Sequence, residues 1–236
     1  MSLSAPRGAR ADLVDVTGSA PVLESAVPFE GMIFDVRRDR VDLGAGGVVV
    51  REYIGHPGAV VVVALRPIDA IDHVLLIRQY RHPAGAHLWE LPAGLLDVAE
   101  EHPRDAASRE LFEETDLEAG RWDVLVDYIA SPGAFPEPVR IFLARDLTDV
   151  PGHVQHARTA EELTLRPMWF SLDDAHDAAL AGQLNNSAAL IGILTAHASR
   201  ARGWDSLRPD DAPWPERQER YERPERPRRP RRPRRH

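Results

Sequence analysis

Residues 88–117 read LWELPAGLLDVAEEHPRDAASRELFEETDL and end in a dense group of acidic side chains. Glu110, Glu113 and Glu114 stand at positions i, i+3 and i+4, which lie on one face of an α-helix. Like charges at this spacing repel each other, and a hard cation bound by the carboxylates removes the repulsion. A solvated acidic helix face is the alternative. These residues alone leave both interpretations open.

The residues around the acids predict where the helix begins. Pro103 suits a first helical turn, and Ala107 with Leu111 supplies an apolar stripe that can face a core. Ahead of the helix, Gly94 ends a short Pro-Ala-Gly turn and Glu101 lies in the connecting loop. The stretch therefore predicts a turn, a loop and a helix that displays acidic side chains.

Apolar runs on both sides of this stretch predict a sheet. Residues 59–65 and 73–80 are near-continuous aliphatic runs typical of strands buried on both faces, and residues 122–130, 139–144 and 166–172 predict further strands. Residues 172–184 and 186–201 predict closing helices, with Ser171 and Asn186 as N-caps. This order of strands, helix, strands and helices predicts a mixed α/β sandwich.

The ends of the chain differ in composition from its middle. Residues 1–28 are rich in Ser, Ala, Gly and Pro and predict a flexible leader. Residues 29–57 predict a small antiparallel β unit, which needs the main domain or a second subunit to pack against. Residues 58–205 form the predicted main domain, and residues 206–236 a disordered Arg/Pro-rich tail.

Composition excludes several classes of protein. The chain has 236 residues and no cysteine, so disulfides, thiolate zinc sites and cysteine nucleophiles are excluded. No apolar run is long enough to span a membrane, and the N-terminus lacks a secretion signal. We therefore expect a cytoplasmic protein.

Charge is divided unevenly along the chain. Residues 216–236 carry ten arginines and four glutamates, a net +6, which leaves −14 on the remainder because the total is −8. The acidic remainder argues against broad nucleic-acid binding by the folded part. A solvated, disordered tail is the favoured interpretation, and contact of the tail with RNA, DNA or an acidic surface is the alternative.

From Glu101 onward, the acidic stretch resembles the Nudix box, Gly-x5-Glu-x7-Arg-Glu-U-x-Glu-Glu-x-Gly-U, where U is aliphatic. Seven residues separate Glu101 from Arg109, and Leu111 and Leu117 fill the aliphatic positions. The chain departs from the pattern twice. Six residues instead of five follow Gly94, and Asp116 replaces the late glycine. Because aspartate tolerates the left-handed conformation better than most residues, we expect only a modest loss of stability there.

The resemblance extends beyond the box. Segments at residues 30–43, 49–65, 78–97 and 131–144 are similar to segments of ADP-ribose pyrophosphatases of the Nudix superfamily, so the likeness covers about residues 29–202. It implies a Nudix α/β/α sandwich with a mixed sheet, preceded by a small N-terminal antiparallel β unit. It also implies a homodimer built through the N-terminal strands, with the adenine near the dimer interface.

The resemblance implies a metal site on the acidic helix. Glu110 and Glu114 would be the main Mg²⁺ ligands, Glu113 would share a second ion, and the Ala93 carbonyl would complete one coordination shell. Mn²⁺ is a possible replacement. Glu101 and Arg109 would brace the helix and the loop.

The resemblance also implies substrate contacts and a base. Arg81 would hold the pyrophosphate, and Glu52 and Phe29 are weaker candidates for the adenosine side. Glu137 would be the general base in a mobile loop, although Pro136 and Pro138 restrict its backbone. Glu161 and Glu162 form a second acidic pair, for which solvent exposure is the favoured interpretation.

These residues suit hydrolysis of a pyrophosphate, which needs its charge neutralised and a water activated. We therefore expect Mg²⁺-dependent hydrolysis of ADP-ribose to AMP and ribose 5-phosphate. The alternatives are the same reaction on another nucleoside diphosphate sugar or dinucleotide, a nucleotide-binding sensor with a weak active site, and an RNA-directed hydrolase tethered by the tail.

Overall fold

The computed structural model describes residues 5–31, 34–98, 100–152, 156, 165–215 and 217. The chain divides into two compact units, residues 1–53 and 54–236. The first unit is a three-stranded sheet in the order β1-β2-β3, with β1 and β2 antiparallel. Its strands are β1 (Val22–Glu30), β2 (Asp35–Asp42) and β3 (Val48–Ile54), the last ending at the unit boundary.

In its described residues, the second unit contains an eight-stranded mixed sheet and three α-helices. The strand order is β10-β5-β4-β9-β8-β11, with β6 paired to β5 and β7 paired to β4; β4 and β9 are parallel. The strands are β4 (Ala59–Ile68), β5 (Ile71–Arg81), β6 (Ala86–Glu90), β7 (Ala93–Leu95), β8 (Leu117–Ser131), β9 (Phe135–Asp149), β10 (Arg166–Ser171) and β11 (Arg208–Pro209). The helices are α1 (Pro103–Thr115), α2 (Leu172–Leu180) and α3 (Ser187–Ala201).

The central strand β4 is buried on both faces, because successive side chains of a strand point in opposite directions. Val61 and Val63 belong to the apolar cluster that contains residues of α2 and α3. Val60 and Val62 belong to the second cluster, which contains residues of α1. Helices therefore cover both faces of the sheet, and the predicted α/β/α sandwich is confirmed.

The predicted helix caps are present. The Ser171 side chain accepts a hydrogen bond from the Asp174 amide at the start of α2. The Asn186 side chain accepts one from the Ala189 amide at the start of α3. Each cap satisfies one of the amides that a first helical turn leaves without a partner.

The predicted leader extends too far. Residues 1–28 were expected to be flexible, but β1 begins at Val22 and pairs with β2. Every residue of β1 is exposed, so the strand has no alternating apolar pattern by which sequence could reveal it. The boundary between the two units also falls at residue 53, a few residues before the predicted residue 57.

The predicted tail begins too early. Residues 206–236 were assigned to a disordered tail, but Arg208–Pro209 forms β11 against β8. The buried Arg140 also donates hydrogen bonds to the carbonyls of Ala212 and Pro213, at 2.7 and 3.1 Å. These contacts join residues more than 70 positions apart and leave no local sequence signal. Residues 218–236, which contain the arginine repeat, lie outside the described residues.

Among the described residues, no helix is both long enough and apolar enough to cross a membrane.

Candidate active site

Helix α1 presents its acids opposite a buried apolar face. His102 caps the helix by accepting a hydrogen bond from the Arg104 amide, and Pro103 occupies the first turn. At the other end Asp116 adopts the left-handed conformation, with φ 57°, and its amide donates to the Phe112 carbonyl at 2.9 Å. Ala106, Ala107 and Leu111 are buried against the sheet. The helix is therefore fixed at both ends and along one face.

Arg109 joins the loop to the helix. Its Nε and Nη2 donate to the two carboxylate oxygens of Glu101 at 2.9 and 3.0 Å. Its Nη1 donates to Glu110 at 2.5 Å and to Glu113 at 3.3 Å. These hydrogen bonds, above all those to Glu101, raise the pKa of Arg109 further above its usual range. The predicted bracing role of Glu101 and Arg109 has its contacts in place and stays a prediction.

Gly94 lies on β7 directly against the Glu110 carboxylate. A Cβ atom built on Gly94 would stand 1.9 Å from Glu110 Cδ and 2.0 Å from its Oε1. No side chain fits this space unless Glu110 moves. Gly94, the glycine of the box, therefore leaves open the space that the Glu110 carboxylate occupies.

Glu114 points back to the same turn. Its Oε2 accepts a hydrogen bond from the Ala93 amide at 3.1 Å. Burial raises the pKa of Glu114 to about 8; nearby Glu110 and Glu90 add to the rise, while Arg81 and the Ala93 amide oppose it. Burial also raises the pKa of Glu110, against the opposing effect of Arg109. The structure thus holds two partly buried acids, and the Glu110 charge helps to raise the pKa of Glu114.

Arg81 stands at the end of β5 and is paired with Glu90. Its Nε and Nη2 donate to the two Glu90 oxygens at 2.9 and 2.7 Å, and Glu90 itself is buried. This bidentate pair fixes the guanidinium beside Glu114. The sequence reasoning missed Glu90, although it directly follows Trp89 in the stretch that leads to the box.

The expected mobile loop around Glu137 is a tight hairpin instead. Residues 132–134 form a turn closed by the Ala134 amide on the Ser131 carbonyl at 3.0 Å, and β9 begins at Phe135. Glu137 therefore lies on a strand, where its side chain is only 18% exposed and its Oε1 stands 3.5 Å from Nε2 of His56. Burial raises the pKa of Glu137. Its predicted role as the base is not tested by this placement.

Two other predicted residues lie in the first unit. Phe29 is an exposed residue of β1. Glu52 lies on β3 and forms an ion pair with Arg38 at 2.6 Å. Glu161 and Glu162 lie outside the described residues.

The acids of α1 fit a hard divalent cation by their chemistry. Carboxylate and carbonyl oxygens are the ligands that Mg²⁺ prefers, and Glu110 and Glu114 meet beside the Ala93–Gly94 backbone. Within the part of the chain that the structure describes, no three His, Asp or Glu side chains are already placed as a metal-binding cluster. Arg109 instead contacts Glu110 and Glu113, so a bound cation would have to compete with this guanidinium.

Comparison with known proteins explains this arrangement. The family model of the Nudix domain matches residues 55–190, more than half of the chain. The chain belongs to the Nudix hydrolase family. Enzymes of the Nudix family generally use divalent metal ions, which agrees with the donor set on α1.

Similar proteins include named Nudix enzymes. The chain is 43% identical over 187 residues to an ADP-ribose pyrophosphatase of Mycobacterium tuberculosis, covering 79% of this chain and 87% of that protein. It is 37% identical over 120 residues to an ADP-ribose pyrophosphatase of Bacillus subtilis, covering 51% and 63% of the two chains. A solved structure described as an ADP compounds hydrolase superposes with a TM-score of 0.64 at 20% identity, covering 80% of this chain and 99% of that one. At that identity the last comparison shows the fold alone. The predicted family, fold and hydrolase class are confirmed.

Proposed function

We propose that this protein hydrolyses the pyrophosphate bond of ADP-ribose, giving AMP and ribose 5-phosphate, with Mg²⁺ as its metal. The observation that carries the proposal is the pair of partly buried carboxylates, Glu110 and Glu114, held against the Ala93–Gly94 turn. The 43% identity to an ADP-ribose pyrophosphatase, over 87% of that protein, supports the choice of substrate.

In this proposal Glu110, Glu113, Glu114 and the Ala93 carbonyl hold the metal, and Mn²⁺ is the alternative ion. When bound, the ion would neutralise charge on the pyrophosphate and lower the pKa of water. The helix itself must stay fixed for the ligands to converge. The Arg109–Glu101 pair supplies that restraint, because its two parallel hydrogen bonds define both distance and orientation.

Arg81 is proposed to hold the pyrophosphate. Its Nε and Nη2 already donate to Glu90, and this pairing fixes the plane of the guanidinium before substrate arrives. The Arg81 side chain is 45% exposed, so a phosphate oxygen can approach it from solvent. Glu90 is therefore proposed as the residue that orients the arginine.

Glu137 is proposed as the general base. It would take a proton from water as the water oxygen bonds to one phosphorus, and the bridging P–O bond would break toward the other phosphate. One water is consumed, and the two products carry one phosphate each. A carboxylate whose pKa is raised by burial is a stronger proton acceptor than an ordinary glutamate.

The proposal includes a homodimer formed through the first unit, with Phe29 and Glu52 on the adenosine side. Apolar residues of that three-stranded sheet are exposed, among them Val22, Leu23, Val48 and Val50. Exposed apolar surface of this kind is typical of a surface that binds another protein. Sedimentation equilibrium of the full chain would test this, and a monomer at micromolar concentration would contradict it. The expected cytoplasmic location is also part of the proposal, and cell fractionation would test it.

Turnover on a substrate panel tests the proposal. Purified protein with Mg²⁺ would be given ADP-ribose, ADP-glucose, GDP-mannose, NADH or a diadenosine polyphosphate, and the products separated by chromatography. We expect ADP-ribose to be cleaved with the highest kcat/KM and to yield AMP. Preference for another compound would overturn the substrate, and nucleotide binding without turnover on any compound would favour a sensor.

A further inference from the structure

His56 is a buried histidine outside the acidic helix. It lies in the segment Gly55-His56-Pro57-Gly58 that leads into β4, and its side chain is only 7% exposed. Its ring packs against Phe135 with centroids 4.7 Å apart. A buried imidazole needs partners for its ring nitrogens, and those partners decide which nitrogen carries the proton.

The Gly58 amide fixes the tautomer of His56. Its N–H donates to Nδ1 at 3.2 Å, so Nδ1 is an acceptor and carries no proton. Burial lowers the pKa of His56 to about 4, which keeps the ring neutral at pH 7. A neutral ring with an unprotonated Nδ1 carries its single proton on Nε2.

The protonated nitrogen faces Glu137. Nε2 stands 3.5 Å from Glu137 Oε1, and the Glu137 side chain is itself mostly buried. This distance is longer than an ordinary hydrogen bond, but catalytic contacts are often long before substrate binds and shorten in the complex. Burial removes most competing water, so the Nε2–H group is well placed to hold the carboxylate.

Gly58 also ties this segment to the strand that carries Glu137. Its φ is +96°, a conformation that favours glycine, and a Cβ atom there would lie 3.1 Å from the Pro138 carbonyl oxygen. The donor to Nδ1 therefore sits directly beside the residue that follows Glu137. The backbone that binds the His56 ring and the backbone that carries Glu137 therefore lie close together.

We propose that His56 is a positioning residue that orients the Glu137 carboxylate through its Nε2–H group. This inference rests on the proposed function, in which Glu137 is the base. Among the described residues, Tyr128 also feels the Glu137 charge: its pKa is raised to about 12 mainly by burial and in smaller part by that charge.

Two matched variants of His56 distinguish the role of Nε2 from the role of Nδ1. In His56→Gln, the side-chain amide reaches the position of Nε2 and can donate to Glu137. In His56→Asn, the shorter amide reaches only the position of Nδ1. We expect His56→Asn to lower kcat for ADP-ribose by about 10- to 100-fold with little change in KM, and His56→Gln to recover most of that loss.

The pH profile distinguishes positioning from general loss of folding. A donor to a carboxylate lowers the pKa of that carboxylate, so its removal in His56→Asn should move the acid limb of kcat to higher pH. A merely structural defect would lower kcat equally at every pH. In a Glu137→Gln background, His56→Asn should add little further loss, because its effect passes through Glu137. Equal losses in both backgrounds would overturn the proposal.

One readout does not depend on turnover. Nitrogen-15 shifts of His56 and the carboxyl titration of Glu137 can be followed by NMR in wild type and in His56→Asn. We expect the Nε2–H tautomer in wild type and a raised Glu137 pKa in the variant. An Nδ1–H tautomer or an unchanged Glu137 pKa would reject the positioning role even if ADP-ribose proves not to be the substrate.

Discussion

At Gly94, a single hydrogen in place of a side chain makes room for the Glu110 carboxylate. Because a methyl group there would overlap Glu110 Cδ, Gly94→Ala should displace that acid. We predict a fall in kcat of about 100-fold or more, since small misplacements of reacting groups have effects of that size. Gly120→Ala is the control, because its new methyl would make only an ordinary 3.4 Å contact with Asp146. Full activity in Gly94→Ala would contradict the assigned role of Glu110.

His56 gives a pH dependence of stability with a definite sign. Its pKa is about 4 in the folded chain and about 6.5 unfolded. Below pH 6.5 the unfolded chain therefore binds more protons than the folded chain. The free energy of unfolding falls as the pH is lowered from 6.5 toward 4. Between pH 7 and pH 5 the resulting loss in the free energy of unfolding is about 2 kcal/mol at most.

Comparison of wild type with His56→Gln isolates this contribution. Burial also raises the pKa values of Glu110, Glu114 and Glu137, and these acids add a contribution of opposite sign that both proteins share. Urea unfolding at pH 7 and pH 5 should show wild type losing more stability than the variant. An identical change in both proteins would mean that His56 titrates normally.

Helix α1 ends at the C-cap residue Asp116, and the contribution of this cap to stability can be measured. The left-handed conformation there costs most residues about 1–2 kcal/mol, and Asp116 Oδ1 also accepts from the His156 amide at 3.2 Å. We predict that Asp116→Ala lowers the free energy of unfolding by about that amount, whereas Asp116→Asn is nearly neutral.

An exposed aspartate on β9 provides the comparison for this helix end. Asp149→Ala should change the free energy of unfolding by less than about 0.5 kcal/mol, as exposed sites usually do. Urea titrations of the three variants would measure the differences. An Asp116→Ala protein as stable as Asp149→Ala would show that α1 does not depend on this cap.

Much of the element pattern could be predicted from local sequence. The helix over Pro103–Thr115 has its proline, apolar stripe and acids within thirteen residues, and the buried strands have continuous aliphatic runs. The spacing from Glu101 to Glu114 carried enough information to indicate the family. These features are local, so a single sequence contains them.

The features missed by sequence depend on distant partners. β1 has no buried face, and β11 is only two residues long. His56 contacts Glu137 across 81 positions, and Arg81 pairs with Glu90 only because β5 and β6 are neighbours. The resemblance predicted a mobile loop around Glu137, whereas pairing of β9 with β8 places this residue on a strand. Packing, not local preference, decides each of these cases.

For the second unit as a whole, a buried ion network ties the C-terminal segment to the sheet. Arg140, 2% exposed, donates to both oxygens of Asp127 at 2.8 and 2.9 Å, and Arg208 donates to the same carboxylate. The Arg140 guanidinium also lies 4.7 Å from the centre of the Trp214 ring. The network thus joins β8, β9 and residues 208–214.

Removal of one member of this network should be costly. We predict that Arg140→Met lowers the free energy of unfolding by about 3 kcal/mol, because the largely buried Asp127 carboxylate loses two of its charge-assisted hydrogen bonds and keeps only the one from Arg208. Arg202→Met, at a 68% exposed arginine paired with Asp205, should cost less than about 1 kcal/mol. Chemical unfolding of the two variants measures both changes in the free energy of unfolding. A change in Arg140→Met as small as that in Arg202→Met would show that the C-terminal segment is held by other contacts.

The most direct test of the proposed function is the kcat of Glu114→Gln on ADP-ribose with Mg²⁺, measured beside wild type and the exposed control Glu118→Gln. The substitution keeps the shape of the side chain and removes a charge from the proposed metal site. We predict ADP-ribose cleavage by wild type and the control, and a loss of at least about 100-fold in Glu114→Gln with the fold intact. Wild-type turnover that survives in Glu114→Gln would contradict the assignment of α1 as the metal-binding element, and no wild-type turnover on ADP-ribose would contradict the proposed reaction.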